Sequence, residues 1–318
     1  MALDPRAPYQ PSISPLERVI TVGDCKYYTY IWKRDRDPSA YKGRILFIHG
    51  YRDSQQVYYY TFEKLTEAGY DVFYFDQRGE GKTVLTNGKK GTASEETALG
   101  AVDYFIEFNL KELADEGKPS RLSILSVSMG GGIALNYSAI GRYRKKLTCI
   151  VNIAPLILLH EKTYPGIVTE TLVRGLCVAP FMRSLHVKTY IHPEYIAGDP
   201  VYEEYLRARM EKKPLYATLV ESRDFVLRGR RLLSEEYYGK VEKELPILIC
   251  HGDADYVNDV EGSKKFFEKV NGVKGMKNKR LIIYPKGRHV LYIGAEETRE
   301  KALKDTIEFL DEFNGAAE

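Results

Sequence analysis

The feature that most restricts this chain is a rhythm in which short, almost wholly apolar runs alternate with longer stretches of helical spacing. "GRILFIHG" (43–50) reads as a strand buried on both faces, and "QQVYYYTFEKLTEAG" after it as a helix stopped at Gly69. The strand "YDVFYFD" follows. A helix opens next at the capping-box spacing of Thr92 and Glu95, with Leu99, Val102, Ile106, Leu110 and Leu113 at helical intervals. A strand at 121–127, a helix at 129–141 and the strand "LTCIVNIAP" (147–155) continue the pattern. It breaks over 156–240, in a polar helical region rich in Tyr and Arg. It resumes with "LPILICHGDAD", the helix "SKKFFEKV", the strand "KRLIIYP" and an amphipathic last helix. Strands separated by helices pair in parallel. The expected fold is therefore α/β, a mostly parallel, doubly wound sheet built from residues 1–155 and 241–318. Residues 156–240 are inserted as a mainly helical cap or lid over one end. Ahead of this core, "ERVITVGDCKYYTYIWKR" alternates as two antiparallel strands turning at Gly23-Asp24.

Composition narrows the function. A formal charge of +3 over 318 residues, with no Lys/Arg tract, argues against a nucleic-acid partner. The cysteines at 25, 149, 177 and 250 are far apart, and at least two fall in apolar strand-like runs, so buried free thiols are expected. The start of the chain lacks the apolar core of a secretory signal, and no run approaches the roughly 18 apolar residues of a membrane span. A reduced, cytoplasmic setting is the expectation. The 25 tyrosines need no special chemistry, since amphipathic packing accounts for most of them.

The stretch "RLSILSVSMGGGIALNY" (121–137) carries the chemistry. A serine on a tight strand-to-helix turn is held exposed at the carboxyl end of a parallel strand, with the next helix aiming its N–H groups at a developing anion. The turn wants small residues two places either side. Ser126 is flanked there by Ile124 and Ser128, whereas Ser128 is flanked by Ser126 and Gly130, so Ser128 is the candidate nucleophile.

A nucleophilic serine needs a base, and the base an orienting acid, in the chain order serine, acid, histidine for this arrangement. After "PILICHG" come Asp253, Asp255 and Asp259; after "RLIIYP" comes His289. His160, His186 and His192 lie in the insertion, His251 precedes the acid and His49 precedes the serine. Asp residues after a strand often only cap helices, but three residue types in the right order on three strand ends favour a triad. Two backbone N–H groups are expected to form an oxyanion hole: Met129 after the nucleophile, and Tyr51 after His49-Gly50.

Several segments together, "RILFIHGY", "YDVFYFDQRGEGKT", "SMGGGIALNYS", "NIAPLILLH", "ILICHGDADYVND" and "GRHVLY", resemble the monoacylglycerol lipases of the α/β-hydrolase superfamily, especially fungal members. The resemblance covers nearly the whole chain. It implies Ser128, Asp255 and His289 as the triad, the acid following the family's G-x-x-D spacing after Gly252. It implies Tyr51 and Met129 as oxyanion donors and glycerol monoesters of long-chain fatty acids as substrates. This sequence departs from the family in two places. The family's "GHSMGG" is "SVSMGG" here, with Ser126 and Val127, and Arg52 stands where a second glycine is frequent. Ser126→Gly is expected to keep or raise activity.

The expected reaction is acyl transfer to water through an acyl-enzyme. It calls for no cofactor, and no metal-ligand spacing appears. The alternatives are another fatty-acyl ester hydrolase (lysophospholipase, thioesterase or carboxylesterase) or a silenced hydrolase-fold lipid-binding protein. Dehalogenase-type chemistry is disfavoured, because it wants a carboxylate where this chain has Ser128. In the cap, Ile167, Val168, Leu172, Val173, Leu176, Val178, Phe181 and Met182 form an apolar set beside Arg174 and Arg183. Most of the set is expected to pack the cap onto the core. A subset would make peripheral contact with a membrane or lipid droplet.

Overall fold

The computed structural model of the chain describes residues 3–315, so residues 1–2 and 316–318 of the two expected core segments lie outside the described residues. The chain begins with β1 (Leu16–Val22) and β2 (Cys25–Trp32). β3 (Gly43–Ile48), a 3-10 turn over Gln55–Tyr58, α1 (Tyr59–Glu67), β4 (Tyr70–Phe75) and the short β5 (Val84–Leu85) follow. Next come α2 (Glu95–Asp115), β6 (Leu122–Val127), α3 (Met129–Ile140) and β7 (Ile150–Ile153). A second layer holds α4 (Ile167–Leu176), β8 (His186–Thr189), α5 (Pro193–Ile196) and α6 (Pro200–Lys212). β9 (Leu215–Thr218), α7 (Leu219–Arg231) and α8 (Glu235–Tyr238) complete it. β10 (Ile247–Gly252), α9 (Val260–Asn271), β11 (Lys279–Tyr284) and α10 (Glu296–Asn314) return to the sheet.

The strands order as β1-β2-β4-β3-β6-β7-β10-β11, with β5 on β2. β1, β2 and β4 pair antiparallel, and from β4 onward every pair is parallel. The apolar runs are explained by burial on both faces. In β3, Ile45 and Phe47 join one core with Phe62 of α1 and Leu310 of α10, while Leu46 and Ile48 join the other with Phe105 of α2 and Ile133 of α3. All four cysteines are buried and free, and burial pushes the Cys149 and Cys250 thiols up to about 12.

Two local expectations need correction, and the second layer gains one detail. The cap of α2 is Ser94, not Thr92: its hydroxyl accepts the Thr97 N–H, and Thr97 Oγ1 accepts the Ser94 N–H at 2.8 Å. Glu221 and Asp224 of α7 hold the N–H groups of Ala93 and Glu95, so tertiary contacts decide where this helix starts. Beside its helices, the second layer holds a two-stranded antiparallel sheet, β8 with β9. The apolar residues of the cap do not mostly pack inward. Ile167, Val168, Leu172, Val178 and Phe181 are 61–79% exposed, and Val173, Leu176 and Met182 are half-buried. The stripe faces outward because α4 meets its neighbours through buried Glu170, which pairs with Arg230 of α7.

Candidate active site

The site lies where β3, β6, β10 and β11 end, beneath the second layer. Ser128 joins β6 to α3 in a strained turn, φ 55° and ψ −116°, a region that costs a non-glycine residue about 1–3 kcal/mol. The turn is held by its surroundings. The Ser128 N–H donates to Ile153 O at 2.9 Å, and its carbonyl accepts the N–H groups of Gly132 and Leu156. A Cβ at residue 130 would lie 2.0 Å from Ile48 O, so glycine is required there. Two residues before Ser128, Ser126 is accommodated instead. Its hydroxyl donates to Asn152 Oδ1 at 2.8 Å, inside the sheet, where β6 and β7 place the two residues side by side.

The Met129 N–H is the first of α3, and neither it nor the Tyr51 N–H donates to any protein acceptor among the described residues. Such N–H groups at a helix start favour negative charge in front of them. The Tyr51 loop is fixed from both sides. Beneath it, buried His49 donates through Nδ1 to Gly50 O at 2.7 Å and accepts the Gln77 N–H at Nε2. Above it, Tyr51 OH meets Thr189 Oγ1 of β8, and its ring packs on Phe225 of α7. Arg52 adopts φ 52°, the left-handed conformation that explains why glycine suits this position. It bears the strain through its side chain, which donates to Gly79 O and Tyr216 O and pairs with Glu80 and Glu221 at 3.2 and 3.6 Å.

The three aspartates after β10 have separate tasks. Asp253 is exposed and accepts the Lys286 N–H, and Asp259 caps α9. Asp255 is buried, with Oδ1 accepting the N–H groups of Val257 and Asn258, and Oδ2 accepting His289 Nδ1–H at 2.7 Å. The same oxygen accepts Nε2–H of His251 at 3.0 Å, and His251 Nδ1 accepts the Ser263 hydroxyl at 2.7 Å. Burial would raise the Asp255 carboxyl. The charges and hydrogen bonds of His289 and His251 outweigh it and hold the carboxyl far below the usual range. His251 is the site residue that chain order passed over. The signal for it was spacing: it stands four residues before Asp255, with a sharp turn between.

His289 is buried, and its backbone is clamped by the second layer, its N–H and that of Val290 donating to the carbonyls of Tyr195 and Ile196. With Nδ1 committed to Asp255, Nε2 is the free ring nitrogen. Ser128 and His289 line one cavity of about 260 Å³ together with Tyr51 and apolar side chains such as Val127, Leu206 and Ile293. No hydrogen bond joins the Ser128 hydroxyl to the His289 ring, and contacts of this kind often tighten only when substrate is bound. No group of three His, Cys, Asp or Glu residues arranged for a metal occurs among the described residues.

A doubly wound sheet with a serine on the turn after its central strand, topped by an inserted layer, defines an α/β-hydrolase. The chain belongs to the "serine aminopeptidase, S33" family, which it matches over residues 39–296, and within it to the monoglyceride lipases. It is 30% identical over 290 residues to monoglyceride lipase of Saccharomyces cerevisiae, covering 90% of each chain. It is 25% identical to monoacylglycerol lipase of Mycolicibacterium smegmatis over 90% of this chain and 92% of that one. The crystal structure of a soluble variant of the S. cerevisiae enzyme with a substrate analog superposes with a TM-score of 0.85 at 28% identity, covering 96% of this chain and 98% of the other.

Proposed function

We propose that this protein hydrolyses monoacylglycerols to glycerol and a fatty acid, with Ser128 as nucleophile, His289 as base, Asp255 as orienting acid and the N–H groups of Tyr51 and Met129 as oxyanion donors. The observation that carries the reading is the single cavity shared by Ser128, His289 and Tyr51, whose lining holds both apolar and charged side chains, with the N–H groups of Tyr51 and Met129 unpartnered among the described residues. The apolar side chains suit the acyl chain and the polar ones the glycerol. His289 Nε2 takes the Ser128 proton as Oγ attacks the carbonyl, and Asp255 fixes the tautomer through Nδ1. The tetrahedral oxyanion is met by the two N–H groups, the protonated ring releases glycerol, and water repeats the cycle on the acyl-enzyme. The test is fatty-acid release from a monoacylglycerol: Ser128→Ala is expected to lower kcat by about 10⁴-fold or more, and a loss under tenfold refutes the assignment.

Residues 156–240 act as the cap, and its exposed apolar side chains are the contact with a lipid surface. Arg174 and Arg183 are exposed on the same layer, placed to meet phosphate headgroups. No helix among the described residues is long and apolar enough to cross a membrane. In the proposal the contact is peripheral and made from the cytoplasmic side. Sedimentation unchanged by liposomes or lipid droplets refutes it.

A further inference from the structure

We infer that the polar end of the catalytic cavity binds a phosphate group on the alcohol side of the ester, so that acylated glycerol phosphates are substrates beside the neutral monoacylglycerols. The inference rests on the ester-hydrolase reading above and extends it to an anionic leaving group. Four cations line this cavity, Arg52, Lys90, Arg209 and Lys213, against two carboxylates, Asp53 and Glu80. Both carboxylates are already engaged. Glu80 pairs with Arg52, while Asp53 accepts the Ser54 N–H at Oδ1 and the Tyr58 hydroxyl at Oδ2. Arg52 is therefore neutralised.

The other three cations are not. Lys90 donates to the backbone carbonyls of Glu80, Gly81 and Thr83 and to no carboxylate. Arg209 uses Nη2 on the carbonyls of Arg52 and Asp53, which leaves Nε and Nη1 without a protein acceptor among the described residues. The Lys213 ammonium has no partner there at all. Burial lowers the Lys90 ammonium, and the charges of Lys213 and Arg52 act in the same direction against Asp76 and Glu80. Cations gathered in a partly enclosed cavity repel one another and focus a positive potential on it. A neutral glycerol needs only hydroxyl partners. A phosphate, with three strong acceptor oxygens and up to two negative charges, fits donors left over at this end. The apolar side chains of the same lining, Val127, Leu206 and Ile293 among them, take the acyl chain, and the ester carbonyl is attacked by Ser128. The chemistry is unchanged: the acyl carbon–oxygen bond breaks, water supplies the hydroxyl of the fatty acid, the glycerol phosphate oxygen takes the proton from His289, and no P–O bond is touched.

The test compares 1-acylglycerol with 1-acylglycerol 3-phosphate of the same acyl chain in one neutral detergent. The wild type is expected to release fatty acid from both. Lys213→Glu, at an exposed side chain that makes no hydrogen bond or ion pair among the described residues, is expected to lower the phosphate-to-neutral ratio of kcat/KM tenfold or more. Inorganic phosphate and phosphatidylglycerol vesicles serve as competitors. Competition by free phosphate but not by vesicles agrees with a group held inside the cavity, and competition by vesicles alone overturns the inference. Cleavage of the neutral ester only overturns it and leaves the ester-hydrolase reading standing, as does a ratio that Lys213→Glu does not move. Cleavage of neither ester overturns both.

Discussion

Removing the hydroxyl of Ser126 separates its effect on folding from its effect on catalysis. Ser126 is fully buried, is absent from the cavity lining, and provides the donor to Asn152 Oδ1 at 2.8 Å; the other bond of that amide is a long 3.4 Å contact from Nδ2 to Leu248 O. Without the hydroxyl, Asn152 Oδ1 is left unpaired inside the sheet, which costs about 1–3 kcal/mol. Glycine in a strand adds roughly 0.5–1 kcal/mol relative to alanine. Ser126→Ala is therefore expected to lose about 1–3 kcal/mol, and Ser126→Gly more, a melting temperature lower by about 3–8 °C. Because the hydroxyl points into the sheet, kcat/KM of the folded Ser126→Gly enzyme is expected to stay within about threefold of wild type or rise. Removing the amide as well, in Ser126→Ala/Asn152→Ala, should show a coupling of about 1 kcal/mol in a double-mutant cycle. Urea unfolding and ester hydrolysis on the same preparations measure both. A collapse of activity with stability unchanged refutes the reasoning, because the hydroxyl would then serve the chemistry.

Other consequences follow from the same geometry. Arg52→Gly relieves a left-handed residue, worth about 1 kcal/mol, but leaves Glu80 and Glu221 buried without their cation, a loss of about 3–5 kcal/mol. Net destabilisation in thermal unfolding is expected, and a stabilised variant contradicts the pairing. The depressed Asp255 carboxyl makes the native state bind fewer protons than the unfolded one in acid, so its contribution is full above about pH 4 and is lost as pH falls through the folded value. The melting temperature of wild type should accordingly drop more between about pH 5 and 2 than that of Asp255→Asn. His251→Leu removes one donor from Asp255 and lets its carboxyl rise, so the fall in melting temperature between about pH 5 and 2 should be smaller than in wild type, while His251→Gln keeps part of the wild-type fall. Val168→Asp with Phe181→Asp should weaken liposome binding by about tenfold or more while leaving hydrolysis of monomeric esters intact.

The parallel core was legible because a strand buried on both faces must be apolar throughout, and "GRILFIHG" and "LPILICHG" have no other economical reading. Other features depend on partners far away in sequence. β8 and β9 are four residues each and pair across the two intervening helices α5 and α6, so no local period announces them. The apolar stripe of α4 was visible, but amphipathicity alone does not say which side meets water, and the pairing of buried Glu170 with half-buried Arg230 turns it outward. Ser126 looked like a misfit at the turn until the register of β6 and β7 set Asn152 beside it. Chain order pointed to Ser128, Asp255 and His289, yet it hid His251, which meets Asp255, and Arg209 and Lys213, which reach the cavity only through the fold.

The most direct measurement of the central claim is mass-spectrometric location of a fluorophosphonate adduct on the intact protein. One adduct, on Ser128, that disappears in Ser128→Ala together with ester hydrolysis is the expected result. A label that persists in Ser128→Ala, or hydrolysis that continues without that hydroxyl, contradicts it.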